Sequence, residues 1–167
     1  MKIMLETERL ILREKNRNDV QNMINLNSNP LVVQYTGDAA FENEAEAEKI
    51  LDYLLKQYKD YGYARWAVEL KDTREFLGWC GLKYHADKNE VDIGYRLLQQ
   101  HWGKGYATEA AAACINYGFE HLQLKKIVGH AMKANTASIR VFEKLGMQYV
   151  SDAVSHCSEG VVYSIES

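Results

Sequence analysis

The stretch from Asp92 to Ala110 constrains this chain more than any other. It reads as a strand over Glu90 to Leu98, in which Val91, Ile93 and Tyr95 alternate with Asp92, Gly94 and Arg96. A turn follows, Gln100-His101-Trp102-Gly103-Lys104-Gly105, and then a helix from Tyr106 to Leu122. Two glycines one residue apart let the backbone approach a ligand and point successive N–H groups the same way. The helix behind them opens with unpaired N–H groups and a partial positive charge, which suits a phosphate. Each such contact contributes about 0.3–1 kcal/mol when exposed and up to about 2 kcal/mol when partly buried. Several converging amides could therefore hold a pyrophosphate. Two rival phosphate motifs fail on residues: a dinucleotide fingerprint needs glycine where Thr108 stands, and a Walker loop needs Ser or Thr in place of Gly105. A plain tight turn between strand and helix is the structural alternative.

The rest of the chain surrounds this unit with mixed elements. Glu8 to Arg13 reads as an opening strand, Asn18 to Leu26 as a helix stopped by Asn27-Ser28-Asn29-Pro30, and 43–61 as a helix ended by Gly62. Ala64 to Leu70 and Phe76 to Tyr84 form a hairpin signal. Lys126 to Met132 reads as a strand, Thr136 to Leu145 as a helix stopped by Gly146, and Met147 to Ser151 and Val161 to Ile165 as closing strands. Hairpins mixed with crossover units predict an α/β chain with a sheet of mixed direction. With 167 residues, 26% charged, 47% hydrophobic and a single proline, residues 1–167 read as one soluble domain without a linker or repeat. No apolar run approaches the roughly 18 residues of a membrane span, and Met1 to Glu6 lacks the apolar stretch of a signal peptide. A cytoplasmic protein is expected. A net charge of −3 argues against nucleic-acid binding. Cys80, Cys114 and Cys157 are odd in number and form no Cys-x-x-Cys pair, so neither a disulfide framework nor a metal site is expected.

Gln100-His101-Trp102-Gly103-Lys104-Gly105 resembles the Gln/Arg-x-x-Gly-x-Gly/Ala motif of the GNAT superfamily of acetyl-CoA-dependent N-acetyltransferases. The resemblance runs through most of the chain in order, and points to the ribosomal-protein N-acetyltransferase (RimJ/RimL-type) branch. It is carried by Thr7 to Arg13, Leu77 to Leu82, Asp92 to Tyr95, Trp102 to Ala110 and Asn135 to Met147. It implies a single-domain GNAT-like α+β fold, a mostly antiparallel twisted sheet of about six to seven strands flanked by about four helices. It also implies acetyl-CoA as cofactor and an amine acceptor, a protein N-terminus or a small molecule, with homodimers common in the family. By the same resemblance, Gln100, His101, Trp102, Gly103, Lys104 and Gly105, with the helix start at Tyr106, Ala107 and Thr108, cradle the pyrophosphate. Arg96, Leu97 and Leu98 pair by backbone with the pantetheine arm, Asn135 contacts its amides and Phe142 packs beside it. Gly94, isolated in a strand, fits a bulge or a close backbone approach.

Direct transfer to an amine needs a neutral amine, a polarised thioester carbonyl and a proton for the leaving thiolate. A backbone N–H near Leu97 or Leu98 is the candidate for the carbonyl. Many family members carry a tyrosine where this chain has Phe142, so Ser138 becomes the candidate proton donor. Asp92 is the candidate base, ahead of Glu90 and Glu69, with a water relay as the alternative. Deprotonating a lysine-type amine at pH 7 costs roughly 4.6 kcal/mol and an α-amine only about 1–1.4 kcal/mol, so a site without a strong base favours α-amines. Glu42, Glu44, Glu46 and Glu48 suit a helix start or could attract a cationic acceptor. Tyr35, Trp66, Trp79 and Tyr84 belong either to the core or to an acceptor pocket. The five histidines read as surface or structural, and Cys157 beside His156 has no role in direct transfer. The alternatives are a non-catalytic acyl-CoA-binding or sensing module and a nucleotide binder unrelated to CoA.

Overall fold

The computed structural model describes residues 1–155 and 158–167, Ser155 through its backbone alone. The expectations for His156 and Cys157 lie outside the described residues. Eight strands form one sheet: β1 (Ile3–Glu6), β2 (Leu10–Arg13), β3 (Arg65–Leu70), β4 (Phe76–His85), β5 (Glu90–Leu97), β6 (Lys126–Met132), β7 (Gln148–Ser155) and β8 (Ser158–Glu166). Their spatial order is β1-β2-β3-β4-β5-β6-β8-β7. Five α-helices accompany them: α1 (Val20–Ser28), α2 (Pro30–Val33), α3 (Glu44–Tyr61), α4 (Tyr106–Glu120) and α5 (Thr136–Lys144). The mixed, mostly antiparallel sheet matches the expected class. β1 and the short α2 go beyond the expected elements, and the closing strands run longer, pairing as far as Ser155 opposite Ser158. None of the helices among the described residues is long and apolar enough to cross a membrane.

All neighbouring strands run antiparallel except β5 and β6, whose parallel register consists of Asp92 opposite Val128. Beyond that pair the two strands separate. The α4 face of the sheet is apolar: Trp66, Val68, Cys80, Leu82 and Leu97 pack against Ala110, Ala111, Cys114 and Ile115. Trp66, expected either in the core or in a pocket, is fully buried there with Tyr117 edge-on, ring centroids 5.3 Å apart.

The other face, beneath α1 and α3, carries buried charge. Arg13 donates to both oxygens of Asp19 at 2.7 and 2.8 Å and to Glu69 at 2.6 Å. Asp19 also accepts from the Asn16 N–H at 2.8 Å, which anchors the turn leading into α1. Burial alone would raise the Asp19 pKa, but the Arg13 and Asn16 hydrogen bonds outweigh it and hold it below the usual carboxylate range. A carboxyl depressed in the folded state stabilises the protein fully above its unfolded pKa, near 3.9, and loses that contribution as pH falls toward the folded value. Removing one partner of a buried pair leaves the other charge uncompensated. Asp19→Ala should therefore destabilise the fold by about 3–5 kcal/mol at pH 7. In urea unfolding the gap between variant and wild type should narrow below about pH 4; an unchanged midpoint at pH 7 would refute the anchoring role.

Candidate active site

Where β5 and β6 part, a cleft of about 490 Å³ opens. Its floor is the end of β5, Tyr95 to Leu97; one wall is the start of α4 and one face of α5, and the other is Leu31 to Thr36 of α2 and the turn after it. A hollow of about 600 Å³ lies at the opposite end of β5, among Tyr61, Tyr84, Glu90 and Lys125, away from the glycine turn and any helix start. Tyr84 packs there against Tyr61, outside the cleft.

The glycine turn is built as its sequence requires. Gly103 and Gly105 sit at φ +72° and +80°, in the left-handed region that glycine enters without penalty. Gly105 is the N-cap of α4 and no side chain caps that helix, so its first amides face the cleft without a side-chain partner. The opening of the chain holds the turn in place. Arg9 donates Nη1 to the Lys104 carbonyl at 2.9 Å and Nε to Glu109 at 2.7 Å, and Thr7 donates to the same carboxylate at 2.6 Å. Burial would raise the Glu109 pKa, yet the Thr7 and Arg9 hydrogen bonds hold it low. The Arg9 guanidinium also lies 4.6 Å from the centre of the Tyr106 ring.

Strand alternation decides which β5 backbone groups face the gap. Leu98 N–H donates to the Leu77 carbonyl on β4 at 2.8 Å, and the unbroken β4–β5 register places Arg96 in the same phase. The N–H and C=O groups of Tyr95 and Leu97 therefore point toward β6, beyond the end of the parallel register. Of the three residues expected to offer their backbone, Leu97 alone faces the opening, and its carbonyl accepts from Trp102 Nε1 at 2.9 Å. Gly94 sits in continuous register, with no bulge. A Cβ there would lie 2.8 Å from the Arg65 guanidinium, so this glycine makes room for an arginine.

The expected residues Arg96, Leu97, His101, Trp102, Gly103, Gly105, Tyr106, Ala107, Thr108, Asn135 and Ser138 line the cleft, whereas Leu98, Gln100, Lys104 and Phe142 lie outside its lining. Phe142 is buried beneath α5 against Gly129 and Tyr163. Ala137, Arg140, Val141 and Lys144 take the cleft face of that helix instead; helical spacing groups them together and sets Ile139 and Phe142 on the packed side. Asn135 caps α5, its Oδ1 accepting from Ser138 N–H at 3.3 Å. Its Nδ2 donates to Ser138 Oγ, which lies 3.0 Å from the Tyr95 hydroxyl. Burial raises the Tyr95 pKa, so this phenol stays protonated. Tyr95 is the functional candidate that sequence reasoning missed: its alternation with Asp92 and Gly94 was visible, its meeting with Ser138 across 43 positions was not.

Asp92 is buried outside the cleft lining. Oδ1 accepts from Arg65 at 2.8 Å, and Oδ2 lies 3.3 Å from His85 Nε2. Burial pushes its pKa up, but the Arg65 charge and the nearby imidazole outweigh burial and bring it to about 2. A carboxylate so weakly basic is a poor proton acceptor for an ammonium. Glu69 is held by Arg13 and Arg74, and Glu90 lies 2.9 Å from His130. Among the described residues the cleft lining contains no carboxylate, while Arg96, Arg140 and Lys144 all contribute to it. Glu44 and Glu46 occupy the first turn of α3, where the helix dipole favours them.

The cleft thus offers uncapped helix amides, cationic side chains at its rim and a strand edge, a set that fits a long phosphate-bearing ligand with an amide-containing arm. Residues 9–148 match the family model described as an acetyltransferase (GNAT) domain. The chain is 36% identical over 152 residues to YkkB, an uncharacterised protein of Bacillus subtilis, covering 89% of this chain and 87% of that one. It is 33% identical over 145 residues to YoaA of the same species, described as an uncharacterised N-acetyltransferase, covering 86% and 82%. In fold it resembles the crystal structure of spermidine N-acetyltransferase from Vibrio cholerae in complex with CoA and spermine, with a TM-score of 0.81, 22% identity and 96% of each chain covered. A fold, a family model and close relatives converge, and the chain belongs to the GNAT family of acetyltransferases.

Proposed function

We propose that this protein is a cytoplasmic, acetyl-CoA-dependent N-acetyltransferase that passes the acetyl group directly to a primary amine, the α-amine of a protein N-terminus or the amine of a small molecule. The observation that carries this reading is one cleft in which an uncapped helix start, two rim cations and an unpaired strand edge converge without a carboxylate. A fold neighbour that binds CoA and a polyamine supports it. Acetyl-CoA supplies the activated acyl group as a thioester. The chain's own residues do the rest.

The amides of the Gly103–Gly105 turn and of Tyr106 to Thr108 bind the pyrophosphate, and Arg140 and Lys144 stand where further phosphate charge enters. The Tyr95 and Leu97 backbone groups take the pantetheine arm as an added strand. Leu97 N–H is the donor for the thioester carbonyl, because Leu98 N–H is committed to β4. The proton for the departing thiolate comes from the Tyr95–Ser138 hydroxyl pair, held in line by Asn135. The amine gives its proton to water. Asp92 serves as the anchor of Arg65.

Calorimetric titration tests the cofactor: acetyl-CoA should bind with micromolar affinity, and ATP and NAD should not compete. Absence of acetyl-CoA binding to the folded protein would refute the proposal. Gly105→Val places a β-branched residue at φ +80° and should weaken acetyl-CoA binding by about tenfold or more; unchanged affinity would free the turn of any role in binding. Asp92→Asn should leave the shape of the pH–rate profile unchanged between about pH 6 and 9, since the native group stays ionised throughout. The same variant should lower stability by about 3–5 kcal/mol by leaving Arg65 buried without its partner. An acidic limb present in the wild type and lost in the variant would restore Asp92 as the base.

A further inference from the structure

Three cations surround a single indole on the α1 side of the sheet. Lys15 Nζ, Arg65 Cζ and Arg96 Cζ lie 5.6, 5.4 and 5.3 Å from the centre of the Trp79 ring. All three side chains are largely buried, Lys15 at 3% exposure and Arg96 at 9% for its side chain. Their counter-ions do not match them in number. Arg65 has Asp92. Arg96 holds Asn27 Oδ1 through Nη1 and Asp38 Oδ2 through Nη2, both at 2.7 Å, while its buried Nε has no partner. Asp38 sits on the turn after α2 with its side chain 54% exposed. Lys15 makes no ion pair and no side-chain hydrogen bond among the described residues. Burial, joined by repulsion from Arg65, Arg96 and Arg13 and opposed by Asp19, lowers its pKa to about 7.

Arg96 belongs to this cluster and to the cleft at once. Alternation along β5 sends Tyr95 to the α4–α5 side, where the cofactor elements stand, and Arg96 to the side of Leu31 to Thr36, the wall they leave free. A group that reached the cluster from the acceptor side would meet an unpartnered arginine nitrogen, an ammonium without an acid and an aromatic face. An anion answers all three. A polyamine would add positive charge to a surplus already present.

Resting on the acetyltransferase reading above, we propose that the acceptor is a small amine that carries a carboxylate close to the nitrogen, as an amino acid does. The carboxylate binds between Arg96 and Lys15 over Trp79 and replaces Asp38 on Arg96. Asp38 is suited to give way, being half-exposed on a turn, while the arginine it touches is fixed by Asn27.

The test is thiol release from acetyl-CoA with matched acceptors: phenylalanine against phenethylamine, and glutamate against γ-aminobutyrate, with spermidine alongside. The amine with its carboxylate on the neighbouring carbon should be preferred in kcat/KM by about tenfold or more. Lys15→Met keeps the length of the side chain and removes its charge; it should bring that preference close to one, with acetyl-CoA affinity by calorimetry unchanged. Asp38→Asn removes the competing carboxylate on an exposed turn and should lower KM for the preferred amine by about threefold. Effects of opposite sign from the two variants cannot come from general destabilisation. Equal rates within each pair, a preference for spermidine, a preference that survives Lys15→Met, or a KM that rises in Asp38→Asn would each overturn the proposal. If the wild type fails to bind acetyl-CoA, the acetyltransferase reading itself falls; if it binds and acetylates without regard to the carboxylate, only the present inference does.

Discussion

The short parallel pairing of β5 with β6, whose register consists of Asp92 opposite Val128, is the constraint on which the rest depends. A sheet that ran on in register past Asp92 and Val128 would satisfy its own backbone and leave no opening. Here β5 stays bonded to β4 up to Leu97 while β6 stays bonded to β8 up to Met132, so each strand is held firmly on its outer side and free on its inner one. The divergence therefore needs no flexible segment. It creates a strand edge inside the molecule, bordered by the starts of two helices, and an interior edge of that kind can be extended by a ligand but not by another protein strand. Function in this fold begins with a place where pairing stops.

Side chains from distant parts of the sequence keep that opening in shape. Arg9 and Thr7 hold Glu109 and the Lys104 carbonyl, which ties the glycine turn to the far side of the sheet. Asn29, the cap of α2, donates to Gln99 just before the turn, so the α2 wall of the cleft is tied to the glycine turn. Arg65 crosses Gly94 and Gly81 to reach Asp92, the β5 residue in register with β6. The charged residues that look catalytic in a linear reading are in large part spent on these ties. Burial makes such pairs rigid, because either partner left alone would be an uncompensated charge.

That division explains what could be read from the residues beforehand. The glycine turn, the helix behind it and the alternating strand before it were legible because local backbone rules act over a few positions. That Asp92 and Glu109, the carboxylates flanking this segment, are both held by arginines was not, because those contacts span 27 and 100 residues. The identity of Arg65 as Asp92's partner was not legible, for the two are 27 residues apart and meet only through β-sheet register. The burial of Phe142 was not legible for a related reason: one position along α5 separates the cleft-facing Val141 from the core, and only packing against Gly129 and Tyr163 reveals which side is covered. Tyr95 escaped notice because its partner Ser138 lies on the other side of α4 and β6 in the chain. β1 and the outer reach of β7 and β8 are edge elements, whose pairing leaves the weakest hydrophobic signature.

The distribution of charge then bears on the chemistry directly. An amine must be neutral to attack, and a carboxylate beside it in the cleft would stabilise the ammonium and raise its pKa. Asp19, Glu69 and Asp92 are held outside the cleft lining, in pairs with Arg13, Arg65 and Arg74. The cations that remain, on Arg96, Arg140 and Lys144, disfavour an ammonium and favour phosphates. The same arrangement that gathers an anionic cofactor therefore lowers the cost of the neutral amine. On the proposed function, cofactor affinity and amine activation become two consequences of one electrostatic choice, with water taking the proton of the amine.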